Sequence, residues 1–188
     1  LNDSKASYTM ELLKQEILTG KNGSFGGMAF PSNNKAASLV VHGTNEADKP
    51  SIIFSGNLTV YGNVILENLT LRAMKNLDRN EAAPFTITAD GVKNASSLTL
   101  QNIDISSAGG ALKDIGGKNK AAIVLDSEGL TVSGGISGTP SLTVKKNAAV
   151  KGAVKTDKLT LSGGIVFTAE GTVTVTDINN IGGQNTLA

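Results

Sequence analysis

The chain has 188 residues, enough for one domain with a sizeable core, and a formal net charge of only +1, from 17 Lys and Arg against 16 Asp and Glu. This balance argues against a surface built for nucleic acid or an acidic membrane, and the absence of Trp with only 4% aromatic residues disfavours base stacking. Because there is no Cys, disulfides, thiolate metal sites and cysteine nucleophiles are excluded.

The N-terminal stretch SYTMELLKQEILTGKNG carries the one convincing helix signal. Met10, Leu13 and Ile17 recur at near-helical spacing, and Gly20 or Gly23 would end the helix. The pattern predicts an amphipathic helix over residues 8–19. We expect it to cap an exposed end of the core, with binding to a partner as the alternative.

From Ser38 onward the sequence is typical of many short strands. The 22 Gly, together with Asn and Ser, supply the turns. No two runs are separated by the two-residue Asn-Gly turn of a regular hairpin, which argues against a meander or an up-and-down barrel. The predicted strands are 39–41, 52–54, 58–61, 64–66, 69–71, 85–88, 98–100, 103–105, 123–125, 130–132, 142–144, 159–161, 165–167 and 173–175.

Several of these strands belong to a loose internal repeat. PSIIFSGNLTV (50–60), PFTITADGVKNASSLTL (84–100) and AAIVLDSEGLTV (121–132) share an apolar strand, a polar turn and a Leu-Thr pair, and LENLTL (66–71) aligns with LQNIDI. Loose periods of this length indicate a stacked array. We therefore predict an all-β fold, a parallel β-solenoid with three short strands in each coil.

Residues 58–71, LTVYGNVILENLTL, form one complete coil in this interpretation. Their alternating apolar residues fill three walls, and Gly62-Asn63 and Asn68 lie at corners. Asn suits a corner because it tolerates left-handed backbone and its amide can bond to the corner of the next coil. We expect the intervening Thr residues to face outward: Thr59, Thr70, Thr99, Thr131, Thr143 and Thr160.

NLTVYGNVILENLTL, SLTLQNIDI and KLTLSGGIVF resemble the right-handed parallel β-helix repeats of pectate-lyase-like bacterial surface proteins, over residues 38–176. AVKGAVKTDKLTLSGG (149–164) is more weakly similar to the short-coil solenoids of bactofilins and head domains. The first resemblance implies a right-handed β-helix. For the enzymes of that class it implies cleavage of polysaccharides, by carboxylates that hold calcium beside a basic residue or by paired Asp residues.

The chain offers little of the chemistry that such enzymes need. Its Asp residues are scattered, and Asp104, the best placed of them, aligns with Thr70 and not with a second carboxylate. His42 is the only His and lacks evident metal-ligand partners, so we predict no metal site and no cofactor. The catalytic residues of the family cannot be carried over to this sequence.

Polar insertions follow two aligned strands at the same point. They are RAMKNLDRNEAAP (72–84) and SSAGGALKDIGGKNK (106–120), and GTNEADKP (43–50) is a third. Equivalent insertions in stacked repeats emerge on one side, which is often the binding side; solvated loops without a ligand are the alternative. The candidate ligand residues there and nearby are Arg72, Lys75, Asp78, Arg79, Asp104, Lys113 and Asp114.

We therefore expect residues 1–37 to form an N-terminal cap and residues 38–188 a β-helix, within one domain. The expected function is non-catalytic adhesion or recognition at a bacterial surface, with a glycan or a cell-surface protein as partner. We expect no nucleic acid and no membrane insertion, and a monomer or part of a longer chain. The start at Leu1 is expected to follow a removed leader or to be an artificial boundary. The alternatives are a polysaccharide lyase or hydrolase with a degenerate site, and a self-assembling rod.

Overall fold

A computed structural model describes residues 7–14, 16–18, 38–54, 57–73, 84–91, 96–106 and 110–188. These residues contain strands and turns and no helix. The strands are β1 Ser7–Leu12, β2 Glu16–Leu18, β3 Ser38–Gly43, β4 Ser51–Phe54, β5 Leu58–Tyr61, β6 Asn63–Glu67, β7 Thr70–Ala73, β8 Phe85–Asp90, β9 Ser97–Gln101, β10 Asp104–Ile105, β11 Leu112–Lys118, β12 Ala122–Asp126, β13 Leu130–Val132, β14 Ile136–Val144, β15 Ala148–Val150, β16 Val154–Ser162, β17 Val166–Ala169, β18 Val173–Ile181 and β19 Thr186–Leu187.

The strands form three sheets, and the pairs within them run parallel. The long sheet has eleven strands, in two branches, β1-β3-β6-β9-β12 and β5-β8-β11, that meet at β14 and continue through β16 to β18. The first small sheet has the order β10-β7-β4-β2, and the second small sheet β13-β15-β17-β19. Strands distant in sequence thus lie side by side, as the repeat predicts.

Alternation of buried and exposed residues explains why these short segments form strands. In β6 the burial alternates so that Val64 and Leu66 are buried, and parallel pairing places Leu98 and Leu100 directly above them. The same stacking continues through the chain, and the buried apolar residues form one continuous core. Within residues 58–71 the predicted strands are confirmed as β5, β6 and β7, and the six alternating apolar residues of this stretch are buried.

The predicted corner at Asn68 is confirmed, and Gly62 has a positive φ of 77°, whereas Asn63, predicted to share the Gly62 corner, is the first residue of β6. Asn102 forms an equivalent corner that was not predicted. Asn68 and Asn102 have φ values of 55° and 49°, in the left-handed region that Asn tolerates better than most residues. The Asn102 amide donates a hydrogen bond of 2.8 Å to Asn68 Oδ1, so that the two corners are joined through their side chains. Asp104 lies above Thr70, as the alignment predicts.

The prediction of a helix over residues 8–19 is wrong. Residues 7–12 are β1, which pairs along its whole length with β3, and residues 16–18 are β2, which pairs with β4. Tyr8, Met10 and Leu12 also alternate with a period of two, and in register they follow the inward positions of β3. Pairing with an existing sheet outweighs a weak local helical preference. The rest of the proposed cap lies outside the described residues.

The prediction that residues 106–120 form one polar loop is also wrong. Leu112–Lys118 is β11, between β8 and β14 in the long sheet. The register shifts between Leu112 and Asp114, which makes Lys113 the extra residue of a bulge. The loop over residues 44–50 is confirmed, whereas residues 74–83 lie outside the described residues.

Candidate functional site

The first and second small sheets are separated by a cleft. β10 pairs with β7 and β13 pairs with β15, but β10 and β13 do not pair with each other. The cleft between them has a volume of about 520 Å³, a size typical of ligand sites. It is therefore a break in an otherwise regular stack of parallel strands.

Hydrogen bonds close the cleft at both ends. At one end Ser127, whose side chain is buried, accepts a hydrogen bond from the Ile103 amide at 2.9 Å and donates one to Leu100 O at 3.0 Å. At the other end the Ser133 amide donates to Leu112 O at 2.8 Å. The two strands thus separate only between these corners, over the length of β13.

The cleft has an apolar interior and a polar rim. Its apolar residues are Ile103, Ile105, Ala111, Leu112 and Leu130, of which Ile103, Leu112 and Leu130 also belong to the main core. Its polar side chains, all exposed, are Asp104, Glu128, Thr131, Ser133 and Lys151. Such a lining offers apolar contact together with a few hydrogen-bonding and charged groups, the usual composition of a binding pocket.

Two carboxylates of the rim are held by neighbouring side chains. Lys49 Nζ lies 2.9 Å from Asp104 Oδ1, and the Lys49 side chain is only 11% exposed against 59% for Asp104. Asn147 Nδ2 donates a 2.7 Å hydrogen bond to Glu128 Oε1, while its own Oδ1 accepts the Val166 amide at 2.8 Å. Both carboxylates therefore have fixed partners and still present oxygens to the cleft.

The predicted ligand residues do not converge on one site. Asp104 lines the cleft, and Arg72 lies on β7 of the same sheet, beside Ile53 of β4. Lys113 is exposed at the bulge of β11, and Asp114 accepts the Gly135 amide at 2.8 Å, a contact that orders the next turn of chain. The other three, Lys75, Asp78 and Arg79, lie outside the described residues.

Sequence reasoning missed Glu128 and Lys151. The alignment of LENLTL with LQNIDI was not extended to DSEGLTV, which continues the same series one layer further. Asn102 lies next to that segment, since its backbone N–H donates to Asp126 O. The extended alignment pairs Leu130-Thr131-Val132 with Ile103-Asp104-Ile105, and so brings the segment that contains Glu128 to the layer beside Asp104. Lys151 follows β15, a strand of alanines and a valine that the apolar pattern did not reveal.

His42 is on the long sheet, away from these rim residues in the fold. Its Nδ1 lies 2.7 Å from Glu67 Oε1, on the strand that pairs with its own. Within the described ranges no three His, Asp or Glu side chains are grouped as a metal ion would require.

The described part of the chain also contains no helix that is long and apolar enough to span a membrane.

Comparison of the chain with protein-family models, with curated proteins and with solved structures finds no match.

Proposed function

We propose that the chain is a right-handed parallel β-helix that acts as a non-catalytic recognition module on a bacterial surface, and that it binds its partner in the cleft between β10 and β13. The parallel pairing at intervals of 17–36 residues supports the β-helix. The resemblance to pectate-lyase-like surface repeats supports the handedness and the bacterial, extracellular location. The partner is a glycan or a cell-surface protein.

One observation carries the proposal: the break between the two small sheets. Burial of apolar residues and pairing of strand edges are the main forces that hold such a stack together. The break leaves both incomplete, because Ile105, inward-facing above the fully buried Leu71, is only half-buried. A ligand in the cleft would cover this apolar surface and satisfy the exposed polar groups around it.

A second candidate function is cleavage of a polysaccharide. Asp104 and Glu128 line the same cleft, and paired carboxylates are what a glycoside hydrolase uses. We rank it second because each carboxylate already has a hydrogen-bonding partner, Lys49 or Asn147, that fixes it as part of the scaffold. Release of reducing ends from a panel of acidic and neutral polysaccharides, abolished by Glu128→Gln, would make this the function.

Binding to a glycan array and to intact cells tests the proposal. The informative variant is the double substitution Glu128→Ala and Lys151→Ala, which removes two exposed rim charges. The matched control is Lys155→Ala with Asp157→Ala, two exposed residues of β16 that do not line the cleft. We expect the first variant to lose binding that the wild type and the control retain. Equal binding by all three proteins would refute the cleft as the site.

A further inference from the structure

We propose that the cleft binds a short extended peptide, which adds as a strand between β10 and β13. This inference rests on the proposed function and names the class of partner. In strand addition, main-chain hydrogen bonds give the affinity and alternate side chains give the specificity. The cleft supplies both, as the backbone of its two borders shows.

On the β10 side, the backbone of Ile105 faces the cleft. The amides of Asp104 and Ser106 donate to Leu69 O at 2.9 Å and to Leu71 O at 3.1 Å, both towards β7. Backbone groups of successive strand residues point to opposite edges. The N–H and C=O of Ile105 therefore point away from β7, towards β13.

On the β13 side, the backbone of Thr131 faces the cleft. The Lys151 amide donates to Val132 O at 2.9 Å, so Val132 is directed towards β15, and Thr131, one residue earlier, is directed the opposite way. Among the described residues β10 pairs only with β7 and β13 only with β15, so no described strand pairs with the backbone groups of Ile105 and Thr131 that face the cleft. The cleft is thus bordered by two strand edges, each with a donor and an acceptor that no described strand satisfies.

The side chains around the cleft suit a peptide with alternating residues. A guest strand the length of β13, three residues, would direct alternate side chains inward onto Ile103, Leu112 and Leu130. Its other side chains would face the rim, where Glu128 and Lys151 belong to no ion pair of the described residues. The described residues that line the cleft include no aromatic ring that could pack against the face of a sugar, and this favours a peptide over a glycan.

A panel of end-blocked tripeptides, alternating Val or Leu with Thr, Lys or Glu, tests the inference by fluorescence polarisation. The informative variant is Ala111→Glu, which introduces a bulky charge at an exposed residue of the cleft. The matched control is Ala122→Glu, the same change on β12 of the long sheet. We expect at least one peptide to bind, with Kd raised about tenfold or more by Ala111→Glu, equivalent to about 1.4 kcal/mol, and unchanged by Ala122→Glu.

N-methylation of alternate residues in the bound peptide separates backbone pairing from side-chain contact, because it removes donors and leaves the side chains. Methylation of the odd-numbered or of the even-numbered residues gives two sets of peptides, and we expect one of the two sets to lose binding. We also expect the Ile105 and Thr131 amides to become protected from hydrogen exchange when the unmodified peptide is bound. Binding that survives both N-methylated sets, or Ala111→Glu, would overturn strand addition. If glycans or cells bind at the rim while no peptide does, the inference fails and the proposed function stands; if nothing binds, both fail.

Discussion

Corner residues combine an unusual backbone conformation with a side-chain contact to the next layer. Asn68 is buried and has φ of 55°. Its backbone N–H donates a hydrogen bond of 3.1 Å to Gln101 O, and its side-chain oxygen accepts one from the side chain of Asn102. A buried hydroxyl acts similarly: Thr139 Oγ1 lies 2.8 Å from both Ala121 O and Ser141 O, between which its single proton is shared, where β14 passes from one branch of the long sheet to the other. Polar residues therefore specify where the chain turns.

Replacing Asn68 separates the two roles of the corner. Asn68→Gly keeps the left-handed backbone at no steric cost but loses the side-chain contact, and we expect a loss of about 1 kcal/mol of unfolding free energy. Asn68→Ala loses the contact and also places a Cβ in a left-handed conformation, which adds about 1–2 kcal/mol. Urea denaturation of both variants measures the difference. Equal losses for Gly and Ala would contradict the backbone assigned to this corner.

At the scale of the strand, glycines set how closely successive turns pack. Gly134, Gly152 and Gly171 follow β13, β15 and β17 and stack on one another. A Cβ on Gly152 would lie 2.6 Å from the carbonyl carbon and oxygen of Gly134, and one on Gly171 would lie 2.5 Å from those of Gly152. Side chains do not tolerate such distances to backbone, so this corner requires glycine in each layer.

Gly152→Ala should therefore destabilise the protein by about 1–3 kcal/mol, the cost of forcing extra volume into a packed site. Gly116→Ala is the matched control, because a Cβ there meets only the Thr88 hydroxyl, at 3.8 Å. We expect the control to be within about 0.5–1 kcal/mol of the wild type. Thermal denaturation followed by circular dichroism compares the two, and a Gly152→Ala protein as stable as the control would exclude the stacked arrangement.

Strands rich in alternating apolar residues could be predicted from the sequence, and others could not. β6 and β9 show the pattern plainly, whereas β11 contains only Leu112 and Ile115 as large inward residues. Gly117 of β11 lies against the backbone of Thr139, where a Cβ would approach within 2.8 Å. Close packing, and not hydrophobicity, determines that segment, so its sequence resembles a loop. In β1 both helical and strand periods are present, and only the partner strand decides between them.

At the scale of the whole molecule, the burial of inward-facing residues differs from layer to layer. Among the described residues β18 pairs only with β16, and Ile178, directly above the fully buried Leu159, is 51% exposed. The inward face of the last layer thus contributes less to stability than the same face one layer earlier. Position along the stack, and not residue type alone, sets the energetic value of an apolar side chain.

Alanine substitutions at these two stacked positions test that gradient. Leu159→Ala leaves a cavity in a filled core and should cost about 2–5 kcal/mol. Ile178→Ala removes a half-exposed side chain and should cost less than about 1.5 kcal/mol. Chemical denaturation measures both, and a loss at Ile178 as large as that at Leu159 would show that the last layer is covered.

The cleft itself could not be predicted from the sequence. Asp104, Glu128 and Lys151 are 24 and 23 residues apart in succession, and only the stacking of layers brings them to one opening. β10 has only two residues, and its sequence does not reveal whether the strand pairs on one edge or on both. Which strand edges pair depends on the hydrogen bonds that hold neighbouring layers together at their corners. Ser127 and Ser133 make such hydrogen bonds at the two ends of the cleft.

Methyl NMR of the chain, titrated with the strongest binder from the peptide panel, the glycan array or the cell-surface screen, tests most directly whether the cleft is the binding site. We expect shifts centred on the methyl groups of Ile103, Ile105, Leu112 and Leu130, with Val40 and Ile65 on the outer face of the long sheet unchanged. Saturable binding with shifts confined to Val40 and Ile65, and none in the cleft, would contradict it.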